Sequence, residues 1–276
     1  MPEVRAAGRK VHYELHGPES GAPLVLVMGL GGSCRGWLPL QVPELSRERR
    51  VLIYDTRGVG ESEDPGGPFS TADLADDLAA LLDALAIRRA DVLGAFLGGM
   101  TAQEFALRHP LRLDRLLLVG SYARADAKRR MLLEKWRDMA RVETPLSIQV
   151  RERLLWTLED DTMEVTDLID SMVEFFTREG SPVSNDVFAR QCEACIGHDT
   201  RDRLRQIHAR TLVLCGRHDQ LTPPKFQREL ADEIPGARLV TLSFGAHLVM
   251  AESAQRFNQI VLQFLAEDRS GPRDRA

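Results

Sequence analysis

The chain has 276 residues, of which 43% are hydrophobic, and this is enough to bury one large core. The formal net charge is −5 and the basic residues are scattered, so the sequence lacks the basic patch that nucleic-acid binding requires. Residues 1–10 contain no apolar signal core, and no apolar run approaches the roughly 20 residues of a membrane span. We therefore expect a cytoplasmic protein that binds a small molecule and neither nucleic acid nor membrane.

Four cysteines in a chain of this length do not form a disulfide framework. Cys192, Cys195 and His198 have the spacing of zinc ligands, but a structural zinc site needs a fourth ligand. No second cluster with metal spacing is visible in the sequence. We therefore predict no metal site and favour ordinary packing at a helix end for these three residues.

The first part of the chain contains three strand patterns. Residues 10–15 alternate between polar and apolar side chains, which predicts a half-exposed strand at an antiparallel edge of the sheet. Residues 23–28 and 50–55 are apolar runs typical of strands that are buried on both faces. The first run leads into a glycine-rich stretch, residues 29–33, and the second leads into a turn.

The next part alternates between helix and strand. Ser70 and Asp73 form a helix start, and five leucines follow at helical spacing. An apolar run begins at Asp91, breaks at glycines, and gives way to an amphipathic helix over residues 101–109. Another buried strand is predicted over residues 113–119. This alternation predicts a mostly parallel sheet with helices on both faces, which binds its ligand at the carboxyl ends of the strands.

Residues 122–206 read as helices throughout, with apolar stripes and charged faces. We expect most of these stripes to pack helix against helix and a minority to face a ligand. Strand patterns return at residues 211–216 and 238–242, and a helix is predicted to run to about residue 265, followed by a charged tail.

The stretch from Gly94 to Met100 reads G-A-F-L-G-G-M, which has the form of a nucleophile elbow, a tight turn between a strand and a helix. It resembles the elbow of the α/β-hydrolase superfamily, in the branch of small esterases, enol-lactonases and C–C hydrolases that carries G-x-S-x-G-G-M. Phe96 stands where these proteins have the nucleophilic serine. Four other segments, residues 29–33, 55–62, 216–223 and 245–252, resemble the family in the same order, so the resemblance covers nearly the whole chain.

The resemblance implies the α/β-hydrolase fold: a mostly parallel eight-stranded sheet with helices on both faces and a helical cap inserted after the sixth strand. It assigns residues 1–121 and 207–276 to the core domain and residues 122–206 to the cap.

The resemblance also implies site residues. Asp219 matches the triad acid and His247 the triad histidine, after the elbow in chain order. A carboxylate bonded to Nδ1 of an imidazole fixes the tautomer and leaves Nε2 free to accept a proton. The oxyanion hole would use the backbone N–H groups of Leu30 and Leu97. The pocket is expected to be apolar, and its predicted lining is Gly29, Gly31, Trp37, Ser121, Leu221 and Leu248.

No organic cofactor is predicted, because the glycine-rich stretch lacks the G-x-G-x-x-G form and has Cys34 in place of its third glycine. Such a pocket suggests a small or medium hydrophobic carbonyl compound as substrate, such as an ester, a lactone or a polyketide-like ring. The sequence does not indicate an oligomeric state.

Phenylalanine cannot attack a carbonyl, and loss of a triad serine costs on the order of a millionfold in turnover. Four interpretations stay open. The chain is a hydrolase whose serine has been replaced, a non-hydrolytic enzyme that uses His247 and Asp219 as a base pair, or a catalytically inactive protein that binds a ligand. In the fourth, Ser121, Ser33 or Cys34 serves as a substitute nucleophile.

Overall fold

One eight-stranded sheet forms the centre of the computed structural model, which describes residues 3–178 and 182–267. Its strands are β1 (Glu3–Ala6), β2 (Arg9–His16), β3 (Ala22–Val27), β4 (Arg49–Tyr54), β5 (Ala90–Ala95), β6 (Leu113–Val119), β7 (Arg210–Gly216) and β8 (Arg238–Leu242). They lie in the order β1-β2-β4-β3-β5-β6-β7-β8. The pairs β1 with β2 and β2 with β4 are antiparallel, and all other neighbours are parallel. The predicted mostly parallel eight-stranded sheet is confirmed.

The central strands are apolar because both of their faces are covered. Successive side chains of a strand point to opposite faces. In β3, Val25 and Val27 join the hydrophobic cluster under α2 and α3, whereas Leu24 and Leu26 join the cluster under the C-terminal helix. All four are at most 1% exposed. A continuous apolar run in the sequence therefore corresponds to a strand between two helical layers.

Eleven α-helices are assigned in the described residues. They are α1 (Val42–Leu45), α2 (Thr71–Ala84), α3 (Leu97–Arg108), α4 (Ala127–Arg141), α5 (Leu146–Thr157), α6 (Asp160–Met163), α7 (Thr166–Arg178), α8 (Asn185–Gly197), α9 (Pro224–Glu233), α10 (Val249–Glu252) and α11 (Ala254–Ala266). The predicted start of α2 is confirmed: Ser70 Oγ accepts from the N–H of Asp73, and the Asp73 carboxylate accepts from the N–H of Ser70. None of the described helices is long and apolar enough to cross a bilayer.

Helices α4 to α8 form the helical insertion after the sixth strand, between β6 and β7. Their apolar residues belong to two clusters. Val150, Leu154 and Val173 pack helix against helix in a cluster of their own. Trp136 and Phe188 instead share a cluster with residues at the carboxyl end of β5. The helical insertion thus contacts the end of the sheet where ligands bind in this class of fold.

Two predictions at element ends were wrong. The antiparallel edge of the sheet is β1, which the sequence analysis missed because it has only four residues. It forms a hairpin with β2 through Ala7 and Gly8, whose φ angles are 49° and 78°. The helix after the elbow begins at Leu97 and is buried along its whole length to Ala106, so it is not amphipathic. The predicted charged tail follows a helix that runs to about residue 265, and its residues from 268 onward lie outside the described part of the chain.

Cys192, Cys195 and His198 take part in packing between the helical insertion and the core. The two cysteines are completely buried on α8, and burial raises the pKa of both thiols. His198 is 2% exposed, and its Nδ1 shares a 2.9 Å hydrogen bond with the hydroxyl of Thr71 at the start of α2. Burial lowers the pKa of His198 to about 3, so this imidazole is neutral in the folded protein.

We expect His198 to make the protein less stable in acid. Between pH values of about 6.5 and 3 the unfolded chain binds a proton at this residue and the folded chain does not, so the free energy of unfolding falls as the pH falls through that window. The loss should be on the order of 2 kcal/mol at about pH 5. Urea unfolding at several pH values should show a flatter profile for His198→Gln, while His208→Gln, at an exposed position, should keep the slope. An unchanged profile in His198→Gln would contradict the assignment.

Candidate active site

A sharp turn joins β5 to α3 at Phe96, whose φ is 47° and ψ −106°. The glycines around it are required by close packing. A Cβ on Gly94 would lie 2.1 Å from the carbonyl oxygen of Gly98, and a Cβ on Gly98 would lie 2.1 Å from that of Val27. A positive φ is strained for phenylalanine, at a cost of about 1–3 kcal/mol. The backbone of a nucleophile elbow is therefore present, and it holds a phenylalanine.

The ring of Phe96 is packed between two other rings. Its centroid lies 5.2 Å from that of His247 and 5.9 Å from that of Tyr122, in edge-to-face arrangements with interplanar angles of 84° and 76°. Phe96 is only 3% exposed. The ring consequently fills the space directly beside the imidazole of His247.

His247 and Asp219, predicted as partners, are brought together from the loops after β8 and β7. Nδ1 of His247 lies 2.9 Å from Oδ2 of Asp219. Thr222 donates two hydrogen bonds of 2.7 Å to this carboxylate, from its N–H to Oδ1 and from its hydroxyl to Oδ2. Since Nδ1 is next to the carboxylate, the tautomer with a proton on Nδ1 leaves Nε2 as a proton acceptor.

The glycine-rich loop after β3 passes beside the elbow. A Cβ on Gly29 would lie 3.6 Å from the Cβ of Phe96. Within the described residues, no hydrogen bond uses the backbone N–H of Leu30 or of Leu97. The next N–H of the loop, that of Gly31, donates to the side-chain oxygen of Gln191 on α8 at 3.0 Å. Two unused N–H groups therefore flank the elbow, one in the loop and one at the first residue of α3.

The other four predicted pocket residues lie in three places. Leu221 belongs to the cluster that contains Phe96, and the completely buried Ser121 donates from its hydroxyl to the carbonyl oxygen of Phe96 at 3.0 Å. Leu248 packs against the helical insertion. Trp37 was placed wrongly: a short 3₁₀ turn, Cys34–Trp37, carries it into the core cluster on the α11 face of the sheet.

Two clefts of the described residues lie away from the predicted pocket, and neither is lined by Phe96 or His247. One lies beside β2 and α2. The other, which we call the insertion cleft, is too narrow to admit a water molecule and is lined by Trp136, Met139, Gln149, Arg153 and Phe188. The aromatic ring of Phe96 occupies the volume where the sequence analysis expected substrate.

The structure does not favour a substitute nucleophile. The hydroxyl of Ser121 is engaged with the backbone of Phe96 and is fully buried. Cys34 is also fully buried, and burial together with the nearby Asp55 raises the pKa of its thiol, which keeps it in the unreactive protonated form. Ser33 starts the 3₁₀ turn that follows the loop.

One group of side chains has donor atoms close enough for a metal ion. His12, Glu14 and Cys34 place one nitrogen, one oxygen and one sulfur within 4.8 Å of one another. Zinc accepts such donors, but the thiol would first have to lose a proton whose pKa is raised. The group lies between β2 and the 3₁₀ turn, and it shares no residue with the cluster around Phe96.

Sequence reasoning missed three residues that shape this site. Thr222 was recognisable from its position three residues after Asp219, a spacing at which a carboxylate often accepts local hydrogen bonds. Gly120 follows β6 with φ 51°, and a Cβ there would lie 3.0 Å from Cε1 of His247. Nothing in the sequence pattern indicated Gln191, because its contact with the loop spans 160 residues.

Comparison with known proteins adds independent information. The sequence profile of the alpha/beta hydrolase fold family matches residues 22–254. A protein from Stutzerimonas stutzeri named putative carbamate hydrolase RutD is 35% identical over 269 residues, which cover 93% of this chain and 97% of that protein.

Two solved structures are also similar over nearly the whole chain. The enol-lactonase from Burkholderia xenovorans has 32% identity and a TM-score of 0.88, covering 96% of this chain and 100% of that one. A hydrolase from Pseudomonas aeruginosa has 32% identity and a TM-score of 0.87, with coverages of 96% and 98%.

The close packing at the elbow predicts that residue 98 must be a glycine. We expect Gly98→Ala to lower the free energy of unfolding by on the order of 3 kcal/mol, because the new methyl group would meet the backbone of β3. Gly197→Ala is the matched control, since a Cβ at that helical position meets nothing within 4 Å. It should leave the stability unchanged or raise it by up to about 1 kcal/mol. Chemical denaturation measures both, and equal effects would disprove the close approach.

Proposed function

The chain belongs to the α/β-hydrolase fold family, and from this we propose that it is a hydrolase-type enzyme for a small or medium hydrophobic carbonyl compound, such as an ester, a lactone or a polyketide-like ring. The observation that carries the proposal is the 2.9 Å contact between Nδ1 of His247 and Oδ2 of Asp219. The imidazole of this pair packs against the ring of Phe96, the residue at the elbow position. The names of its relatives, a putative carbamate hydrolase and an enol-lactonase, support attack on a carbonyl group.

In this proposal each group has a chemical role. Asp219 holds the imidazole of His247 in the tautomer that exposes Nε2 and stabilises the imidazolium formed when Nε2 accepts a proton. The N–H groups of Leu30 and Leu97, both without partners in the described residues, donate to the oxygen that becomes negative as the carbonyl is attacked.

The nucleophile is the missing part. Phe96 stands at the elbow position and offers no atom that can attack a carbonyl, so we do not expect ordinary serine hydrolysis from this chain. The chain is best described as a hydrolase whose nucleophile has been replaced. This interpretation is favoured over a substitute nucleophile because Ser121 and Cys34 are fully buried.

Two alternative functions depend on whether the ring of Phe96 blocks access to His247. If the helical insertion opens and uncovers His247, the His247–Asp219 pair could remove a proton from a substrate without any nucleophile. If it does not, the chain is a catalytically inactive binding protein. The 3% exposure of Phe96 supports this inactive form, since a well-packed ring beside the imidazole excludes substrate from the reaction site.

Restoring the nucleophile distinguishes these possibilities. We expect Phe96→Ser to hydrolyse short p-nitrophenyl esters at least about a thousandfold faster than the unmodified chain, because the other groups of the site are in place. The gain should disappear when His247→Ala is added and should survive His208→Ala, at an exposed position. The initial rate of p-nitrophenol release, followed by its absorbance at about 400 nm, measures this hydrolysis.

The other outcomes are equally informative. Turnover of any substrate by the unmodified chain that His247→Ala abolishes would support the base catalyst. A folded Phe96→Ser variant without activity, together with ligand-induced stabilisation of the unmodified chain, would reject the hydrolase and support the binding protein.

A further inference from the structure

His12, on β2, is a buried imidazole whose two ring nitrogens lack a hydrogen bond in the described part of the chain. The residue is only 1% exposed. Its Nε2 lies 3.6 Å from Oε1 of Glu14, which is too long for a hydrogen bond. A buried polar group that is left unpaired costs free energy, so the position of this imidazole calls for an explanation.

Three polar side chains leave β2 on the same face of the sheet. Residues two apart on a strand point to the same side, so His12, Glu14 and His16 form a row. The residues between and before them pack on the other face, against the cluster under α2 and α3: Val11, Tyr13 and Leu15. The row therefore faces the side of the sheet on which the 3₁₀ turn begins at Cys34.

Donor atoms from this row and from the turn come close together. A ring nitrogen of His12, a carboxylate oxygen of Glu14 and the sulfur of Cys34 lie within 4.8 Å of one another. Donors on one tetrahedral zinc ion are about 3.5 Å apart at ordinary bond lengths, so side-chain shifts of about 1 Å would close the set around an ion. The side chain of Glu14 is 19% exposed and gives the ion a route from solvent.

Two neighbouring residues hold these donors in place. Asp55, which directly follows β4, donates from its N–H to the carbonyl oxygen of His12 at 3.1 Å. Its Oδ1 accepts from the N–H of Cys34 at 2.8 Å, so one residue fixes both the strand and the turn. Nε2 of His16 lies 3.0 Å from Oε2 of Glu14, which leaves Oε1 on the side of His12. Carboxylates that bind metals are typically oriented by such an outer hydrogen bond.

The charges around the sulfur favour a cation at this position. Burial, and then the negative charges of Asp55 and Glu14, raise the pKa of the Cys34 thiol. Arg35 acts in the opposite direction, but more weakly. The carboxylates that disfavour a lone thiolate would stabilise a positive ion beside it. A zinc ion that binds the sulfur displaces the thiol proton, which passes to water.

We propose that His12, Glu14 and Cys34 bind a zinc ion, which ties β2 to the end of the glycine-rich loop. Nitrogen, oxygen and sulfur donors together suit zinc, whereas magnesium and calcium take oxygen donors. Water would complete the coordination from the side on which Glu14 is exposed. The ion stabilises the folded chain, and its three ligands are separate from the elbow, so the proposal is independent of the proposed function.

Thermal unfolding of the unmodified chain, first stripped of metal with EDTA, tests the proposal. Zinc chloride at about 100-fold excess over its Kd should raise the Tm by about 5–10 °C, because the folded chain binds the ion. Magnesium chloride at the same concentration should leave the Tm unchanged. His12→Gln and Cys34→Ser should each abolish the rise, whereas Cys215→Ser, at another buried free cysteine, should keep it.

Cobalt(II), which takes the place of zinc, reports the ligands directly. A cysteine sulfur bound to cobalt gives a thiolate-to-metal charge-transfer band, which we expect in the unmodified chain and in Cys215→Ser but not in Cys34→Ser. His16→Gln removes only the group that orients Glu14, so it should keep the band and weaken zinc binding by about 10- to 100-fold. His208→Gln, at an exposed position, should not change the affinity, which competition with a chromophoric chelator measures.

Two results would overturn the proposal. A cobalt band that survives Cys34→Ser and disappears in Cys195→Ser would place the metal at residues 192–198 instead. No rise in Tm with zinc, or a rise that both His12→Gln and Cys34→Ser retain, would mean that zinc binds only adventitiously to surface groups. The Tm of each variant in EDTA shows whether it is folded, and the partly exposed His16→Gln keeps the test decisive if a buried variant does not fold.

Discussion

The close approach of three backbone segments at the elbow is the constraint on which the rest of the site depends. Gly94 and Gly98 bring β5, α3 and β3 so near one another that a single methyl group at either position would overlap a carbonyl oxygen. This packing forces the intervening residue into a positive φ and directs its side chain towards His247. It also leaves the N–H of Leu97 unused at the start of a helix, where negative charge is favoured.

The same constraint explains how phenylalanine can occupy this position. The strained backbone costs about 1–3 kcal/mol, and burial of a phenylalanine side chain returns roughly 1.5–3 kcal/mol. The ring adds two edge-to-face contacts, with His247 and Tyr122. Packing therefore offsets the strain, and the elbow keeps its shape without a serine. A side chain that cannot attack a carbonyl therefore stands on a backbone with the geometry of a nucleophile elbow.

Sequence patterns could predict the sheet and the helical insertion because burial on two faces leaves continuous apolar runs, as in β3. The resemblance to the α/β-hydrolase family predicted the contact between His247 and Asp219, because each residue lies in a loop that matches a family motif. Trp37 was misplaced because a short 3₁₀ turn reversed its direction, which local composition does not encode. Gln191 was missed for a different reason: it contacts the glycine-rich loop across 160 residues of sequence, and such a contact is visible only in three dimensions.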